Sequence, residues 1–396
     1  MVNVAEATDM VFSKLFTPGI ERVPLAQAVG RVLAEPVTAD RDLPPFDRVA
    51  MDGIAIAHDA WAAGQRAFKL AGTQAAGQPL TVLKDSQHAM EVMTGAILPL
   101  ATDTVIRYED LDIKDGVATI QIDGIEPRQH IHRQGSDARQ RDVLLLPGLR
   151  LSPAEIAVLA SVGIVAVAVR SLPKAAVVSS GDELVAVIES PEQHQIRRSN
   201  THALEAAMRQ IGWKCDQYHL QDEETAMKSV FQKIVEEYDV LIISGGVSKG
   251  KFDFIPAALE AAGVKKLFHQ VSQRPGKPFW FGTSAKNTIV FALPGNPVST
   301  YMCFYRYITP WLWKSLGADE PQSSAILAED LTFTPSLTYF LQVNVSIEKG
   351  RLMAHPQPGG GSGDFANLKQ VTGFLELPSG SSKFQAGESF PYHPFR

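Results

Sequence analysis

Cysteine is nearly absent: Cys215 and Cys303 are the 2 in 396 residues, far apart and outside any CxxC spacing. That excludes a disulfide scaffold and a structural zinc site, and fits a reducing cytoplasm. A strong charge of either sign is also missing. The 37 Lys and Arg against 43 Asp and Glu leave a net −6, which argues against a general nucleic-acid binder. A small anionic ligand stays open, because a local cluster overrides a weak net charge. No apolar run is long enough to span a bilayer. The most apolar stretch, 156–169, contains Ser161 and Gly163 and reads as a buried helix followed by a buried strand. Glu6 and Asp9 interrupt the N-terminal residues, so no secretory signal is expected. Apolar content is not scarce: at 45% hydrophobic and 20% charged the chain should fold, and 396 residues exceed one ordinary core. Several domains are expected.

The 30 glycines and 25 prolines punctuate the chain. Helical patterning covers 2–16 and 25–33, the second piece behind Pro24. The corner from Asp42 through Pro44 and Pro45 to Asp47 ends it, because paired prolines remove donors and favour extended backbone. From Gly53 to about Asp142 short β-type runs dominate, among them 105–108 and 117–122. Asp115-Gly116 opens the second run as a hairpin signal. Ser152 and Pro153 mark a helix start. After Pro173 strands at 175–179, 215–220, 240–244 and 288–293 alternate with helices at 201–210, 223–237, 255–262 and 298 to about 315. That alternation indicates a parallel sheet covered on both faces. Beyond Gly317 the chain returns to β: Leu341, Val343, Val345 and Ile347 alternate with polar residues before a Lys349-Gly350 turn.

In an open α/β sheet the ligand site lies at the carboxyl ends of the strands. The loops there carry Asp182 and Glu183, Asp222, the run Gly245-Gly246-Val247-Ser248-Lys249-Gly250-Lys251-Phe252-Asp253, and Leu293-Pro294-Gly295-Asn296-Pro297. Gly245 and Gly246 could let a phosphate approach backbone N–H groups, with Ser248 and the lysines adding donors, although an isolated Gly-Gly more often marks a tight turn. The spacing matches neither a Walker loop nor a dinucleotide fingerprint. Asp182, Glu183, Asp222 and Asp253 could converge on a divalent cation, magnesium preferring carboxylate and phosphate oxygens. For Asp222 a helix-capping role is equally reasonable. Arg274 and Lys277 flank a rigid Pro-Gly turn that suits an oxyanion clamp or a solvated surface. The basic group His130, His132, Arg133, Arg139 and Arg141 reads as an anion contact or an interface, its histidines as surface residues. No GxSxG or cysteine–histidine signature suggests covalent catalysis, which leaves metal-assisted chemistry on an anionic substrate.

In order along the chain, Pro44 to Gly53, Met93-Thr94-Gly95-Ala96, Arg133-Gln134-Gly135-Ser136-Asp137, Ser180 to Leu184, Ser199-Asn200, Gly245 to Asp253, Pro275-Gly276-Lys277-Pro278 and Leu293 to Pro297 resemble the molybdopterin molybdenumtransferase (MoeA) family, which includes the C-terminal domain of gephyrin. The resemblance covers nearly the whole chain. It implies a multidomain α/β plus β fold: an elongated, discontinuous linker domain I at 1–45 and 138–172, and a mainly β inserted domain II at 46–137. Domain III, at 173–317, would be a doubly wound α/β molybdopterin-binding domain, followed by a C-terminal β domain IV at 318–396. The implied reaction inserts molybdate into adenylylated molybdopterin with release of AMP and assistance by Mg²⁺, in a cytoplasmic homodimer whose cleft joins domain III of one subunit to domain II of the other. Molybdopterin adenylyltransferase and molybdoenzyme maturation proteins are implied partners; no nucleic acid or membrane is. By matched motif, Asp52, Thr94, Glu183, Asp222 and Asp253 are the catalytic candidates. Asp137, Gly245, Gly246, Ser248, Lys277, Pro294 and Pro297 would bind the pterin substrate, and Glu183, Asp222 and Asp253 the metal. Relatives commonly carry Asn-Ser at Arg48-Val49, an acid at Ser136, Val and Asp at Lys249 and Lys251, and Lys at Arg274. The alternative is a scaffold protein that keeps the fold without turnover.

Overall fold

The computed structural model describes residues 1–221, 223–247, 254–318 and 322–396. The chain forms two compact units, one from residues 1–34, 147–152 and 166–396, the other from 35–146 and 153–165.

The first unit is built on a six-stranded sheet. Its strands are β1 (Ala175–Ser180), β2 (Cys215–Leu220), β3 (Val240–Ser244), β4 (Val264–His269), β5 (Trp280–Ser284) and β6 (Ile289–Leu293), in spatial order β2-β1-β3-β6-β5-β4. The four expected strands are parallel. The sheet is mixed rather than wholly parallel, because β5 and β4 join antiparallel at one edge. Period-2 alternation divides the strand residues between two cores. Val177, Ile242 and Phe291 pack with helices α1 (Asn200–Gln210), α4 (Pro297–Cys303) and α5 (Thr309–Ser315) through Leu204, Met302 and Trp311. Val178, Ile243 and Ala292 face α2 (Glu224–Glu237) and α3 (Ile255–Ala261) through Met227, Phe231 and Leu259.

The expected long helix after β6 is broken by a π-helical turn, Phe304–Ile308. Arg306 on that turn donates from Nε to Glu376 at 2.7 Å, and His393 Nε2 meets the same carboxylate at 2.8 Å. Glu376 lies on the strand Gly373–Leu377 and His393 on Ser389–Pro394, both in the C-terminal sheet. In that sheet Ser323–Leu327, Thr338–Glu348, Arg351–Pro356, Gly373–Leu377 and Ser389–Pro394 close into a ring, since Thr338–Glu348 pairs with both Arg351–Pro356 and Gly373–Leu377. Leu341, Val343, Leu375 and Tyr392 fill it. The Lys349-Gly350 turn is as expected, but the alternation read from 341–347 holds only in part: Leu341 and Val343 are buried, whereas Gln342 is buried too, its Nε2 donating to Pro358 O, and Ile347, beside the turn, is exposed.

Burial opposes ionisation of Glu376, yet the His393 hydrogen bond and the Arg306 charge prevail and hold its pKa down to about 2. Burial lowers His393, outweighing the hydrogen bond it makes to Glu376, which would raise it. Both folded values lie below their ordinary ones, so both contributions are present at neutral pH and are lost on acidification. His393 acts below its ordinary value of 6.5, and Glu376 between 4.5 and about 2. Urea unfolding of the parent should lose about 3 kcal/mol more between pH 5 and pH 2 than unfolding of Glu376→Gln. Equal losses would contradict this linkage.

The N-terminal helix spans Val4–Phe12, with Asn3 and Glu6 forming a capping box. The helix expected at 25–33 is absent. Leu25–Gln27 makes a single 3-10 turn, and Val32 and Leu33 bridge Arg150 and Val169. Pro24 and the left-handed Gly30 leave too few residues to propagate a helix.

In the second unit a six-stranded sheet runs Thr104–Arg107, Gly53–Ile56, His88–Val92, Ala67–Gln74, Val117–Ile120 and Leu111–Lys114. Asp115-Gly116 turns the hairpin with both φ values positive, joining Leu111–Lys114 to Val117–Ile120. The helix at Pro153–Ser161 is not buried as expected: only Leu159 is fully enclosed, Ile156 and Val158 are half-buried, and Ala157 and Ala160 are exposed.

Candidate functional site

Two groups of candidate residues emerge, one in each unit. In the second unit the strand Arg48–Val49 is the organiser. Val49 N donates to Ala96 O at 2.9 Å, Gly95 N to Val49 O at 2.9 Å, and Ala50 N to His130 O at 2.9 Å. Gln134 N donates to Asp47 Oδ1 at 2.8 Å, and Asp137 N to Leu43 O at 2.9 Å. Motifs some 40 and 85 positions apart in sequence are thereby knitted into one backbone framework. Its consequence for Asp52 is direct: Thr94 N and Thr94 Oγ1 both donate to Asp52 Oδ1, at 2.6 and 2.7 Å. These bonds, the backbone one first, hold the Asp52 carboxyl below its usual range, so an exposed carboxylate stays ionised and fixed in orientation. Nearby, Tyr108 N donates to Asp52 O, and burial with the Glu91 hydrogen bond pushes the Tyr108 phenol up to about 12. Asp137 accepts from His132 Nε2 at 2.7 Å.

In the first unit the strand ends converge as expected. Gly245 N donates to Leu293 O at 3.1 Å and Gly181 N to Leu220 O at 3.4 Å, so the loops after β1, β2, β3 and β6 share one edge. Gly245 and Gly246 both have positive φ, the backbone of a tight turn. Glu183 is exposed on the first loop, its carbonyl accepting from Ile196 N. Asp222, Ser248 and Asp253 lie outside the described residues, as do Lys249 and Lys251. Among the described residues no group of three His, Cys, Asp or Glu could hold a metal.

Lys277 stands exposed on a turn whose base is rigid. Gln273, wholly buried, donates from Nε2 to Gly276 O at 3.0 Å and accepts from Tyr307 OH at 2.5 Å. Gly276 has φ +88, and a Cβ there would lie 2.8 Å from Met302 Cε and 2.9 Å from Cys303 Sγ, so only glycine fits.

Sequence reasoning missed the residue that ties this edge together. Asn200, which reads as a residue just ahead of a helix, is the first residue of α1, and its Nδ2 donates to Ser244 Oγ at 2.8 Å and to Gly295 O at 2.7 Å. Thr300 Oγ1 in turn donates to Pro294 O at 2.5 Å. Pro294 and Pro297 are thereby fixed on a loop clamped from α1 and α4. The glycine-rich segment Gly359-Gly360-Gly361-Ser362-Gly363 reaches the same loop: Asn296 Nδ2 donates to Ser362 Oγ at 2.8 Å and Val298 N to Ser362 O at 3.1 Å. Beside it Asn200, Pro297, Tyr301, Phe365 and Phe395 line a cavity of about 210 Å³. No local pattern reveals these contacts, which join positions 44 to 95 apart; only the isolated polar residues at element starts hint at them.

Comparison with known proteins gives three family matches in order: MoeA N-terminal region (domain I and II) at residues 2–163, Probable molybdopterin binding domain at 176–314, and MoeA C-terminal region (domain IV) at 324–395. A molybdopterin molybdenumtransferase of Synechocystis sp. is 40% identical, the alignment covering 99% of this chain and 100% of the relative. One from Haemophilus influenzae is 32% identical over 100% and 99% of the two chains. Among solved structures, a molybdopterin biosynthesis MoeA protein from Pyrococcus horikoshii superposes with TM-score 0.83 at 28% identity, covering 99% of each chain.

Proposed function

Since the chain belongs to the molybdopterin molybdenumtransferase (MoeA) family, we propose that it inserts molybdate into adenylylated molybdopterin and releases AMP, a step of molybdenum cofactor biosynthesis. The observation that carries this reading is the likeness to molybdenumtransferases along the full length, 40% identical for the Synechocystis protein, with strand-end loops and the Asp52–Thr94 pair in one chain.

The residues divide the work by chemistry. The pterin diphosphate is anionic, and Lys277 on its braced turn offers a cation to it. With the Gly245 N–H spent on Leu293 O, it is the Gly246 N–H, with Ser248, that would offer hydrogen bonds to phosphate oxygens. Pro294 and Pro297 shape the wall against which the pterin rests. The donor set Glu183, Asp222 and Asp253 consists of carboxylate oxygens, which suits Mg²⁺. Bound there, the ion would neutralise phosphoanhydride charge as AMP leaves. Asp52, kept ionised by Thr94, and Asp137 face the substrate from the second subunit of a homodimer, which accounts for their sequence distance from the α/β loops. The four-domain division with boundaries after 45, 137, 172 and 317 belongs to the same proposal, as does a cytoplasmic location. Among the described residues no helix is long and apolar enough to cross a membrane.

The test incubates purified protein with adenylylated molybdopterin, Mg²⁺ and varied molybdate, and measures AMP by chromatography. AMP release that rises with molybdate is expected. No release under conditions where the Synechocystis relative turns over would overturn the reading. Solution mass should be twice the 43.1 kDa of one chain, and an active monomer would refute the shared cleft.

A further inference from the structure

The geometry points to Arg48 and His132 as a positioning relay for Asp137: Arg48 reinforces the tautomer of His132, and His132 then fixes the direction in which the Asp137 carboxylate presents its free oxygen. Resting on the proposal that Asp137 lines the substrate cleft, this inference concerns two residues to which that proposal gives no part.

Three contacts carry it. Arg48 and His132 face each other across an antiparallel strand pair, His132 opposite Arg48 and Ile131 opposite Val49. The Arg48 guanidinium nitrogen lies 2.8 Å from His132 Nδ1, and His132 Nε2 lies 2.7 Å from Asp137 Oδ1. A guanidinium has donors and no acceptor, so Nδ1 must present a lone pair. A neutral imidazole then carries its one proton on Nε2, where it donates to Asp137. The Arg48 contact therefore reinforces the hydrogen-bond direction that the acceptor-only Asp137 carboxylate requires at the other ring nitrogen, and opposes a proton on Nδ1. Ser136 Oγ adds a longer donation, 3.3 Å, to the same Oδ1.

With Oδ1 occupied by two donors, Oδ2 is the oxygen left for a ligand, and the Asp137 side chain is 56% exposed. The strand pair supports the relay from below: Val49 is fully buried, and Gly135 N and Asp137 N donate to the carbonyls of Pro44 and Leu43. Both ends of the relay are thus set by backbone that the same unit holds rigid. At a solvent-accessible site such bonds add little to stability. Orientation is where they act, because a misplaced group costs rate without unfolding the protein.

Two measurements test the relay. In protein labelled with ¹⁵N-histidine at pH 8, the His132 nitrogens should show protonated Nε2 and bare Nδ1, and Arg48→Met should shift them toward a mixture of tautomers. A protonated Nδ1 in the parent, or shifts untouched by Arg48→Met, would overturn the proposal. In the AMP-release assay, His132→Phe should lower kcat about 10-fold with KM within about 2-fold and an unchanged melting temperature. His132→Gln should recover to within about 3-fold, since its amide both accepts from Arg48 and donates to Asp137. Full activity of His132→Phe alongside an impaired Asp137→Ala would also overturn it. Full activity of Asp137→Ala would instead refute the cleft role of Asp137, and the nitrogen shifts would still decide whether Arg48 reinforces the tautomer.

Discussion

Asp52→Ala is expected to lower molybdate-dependent AMP release by about 10²–10³-fold, with little change in melting temperature. The stability side follows from exposure: Asp52 is on the surface, and its partners Thr94 N and Oγ1 can turn to water when the carboxylate is gone. The activity side follows from preorganisation. Two donors from one residue converge on Oδ1, so the charge is ionised and aimed before substrate arrives, and none of that ordering is repeated in each turnover. Thr94→Ser keeps both donors and should be close to the parent, whereas Thr94→Val keeps only the backbone one and should lose about 10-fold. If Asp52→Ala retained activity within 3-fold of the parent, or if its loss tracked a fall in melting temperature, the proposed role of Asp52 at the substrate would fall.

Gly53→Ala should destabilise the second unit by on the order of 3–5 kcal/mol, measured by urea unfolding. Gly53 opens the strand Gly53–Ile56, which pairs on one side with Thr104–Arg107 and on the other with His88–Val92. A Cβ at Gly53 would sit 1.9 Å from Ile106 O and 2.8 Å from Arg107 Cα. Both are backbone atoms of the adjoining edge strand, and neither can give way without breaking the pairing that holds that strand to the sheet. The glycine that follows Asp52 is thus a requirement of close packing, independent of the chemistry of its neighbour. A loss below about 1 kcal/mol would mean that the ladder shifts to make room.

The parts of the fold legible beforehand share a physical signature. β1, β3 and β6 are continuous apolar runs such as Val240-Leu241-Ile242-Ile243, buried on both faces, and no other element accommodates them. β4 and β5 escaped notice because Lys265 and Lys266, or Gly282 and Thr283, interrupt the run; β4 tolerates its lysines because it is the edge strand. For the candidate site, the strand-end loops were legible from topology. Asp52 and Thr94 were not, because the contact that joins them spans 42 positions and links two exposed residues that lie between strands, where no periodicity marks them. They entered through resemblance. His132 read as a surface histidine; its side chain is half-buried, and both ring nitrogens are engaged, one by Arg48 and one by Asp137.

The buried Gln273 that braces the Lys277 turn also has a second attachment. Gln273 and Arg274 pair in parallel with Thr338 and Tyr339, at the start of the longest strand in the C-terminal ring. The segment that carries the turn is therefore shared property: its backbone bonds are made to one sheet, its side-chain bonds to a helix that packs on another. A C-terminal region that closes on itself so completely invites exchange or deletion as a cassette during evolution. Cutting it away would strip the Lys277 turn of one of its two anchors, so the ring is not an independent appendage.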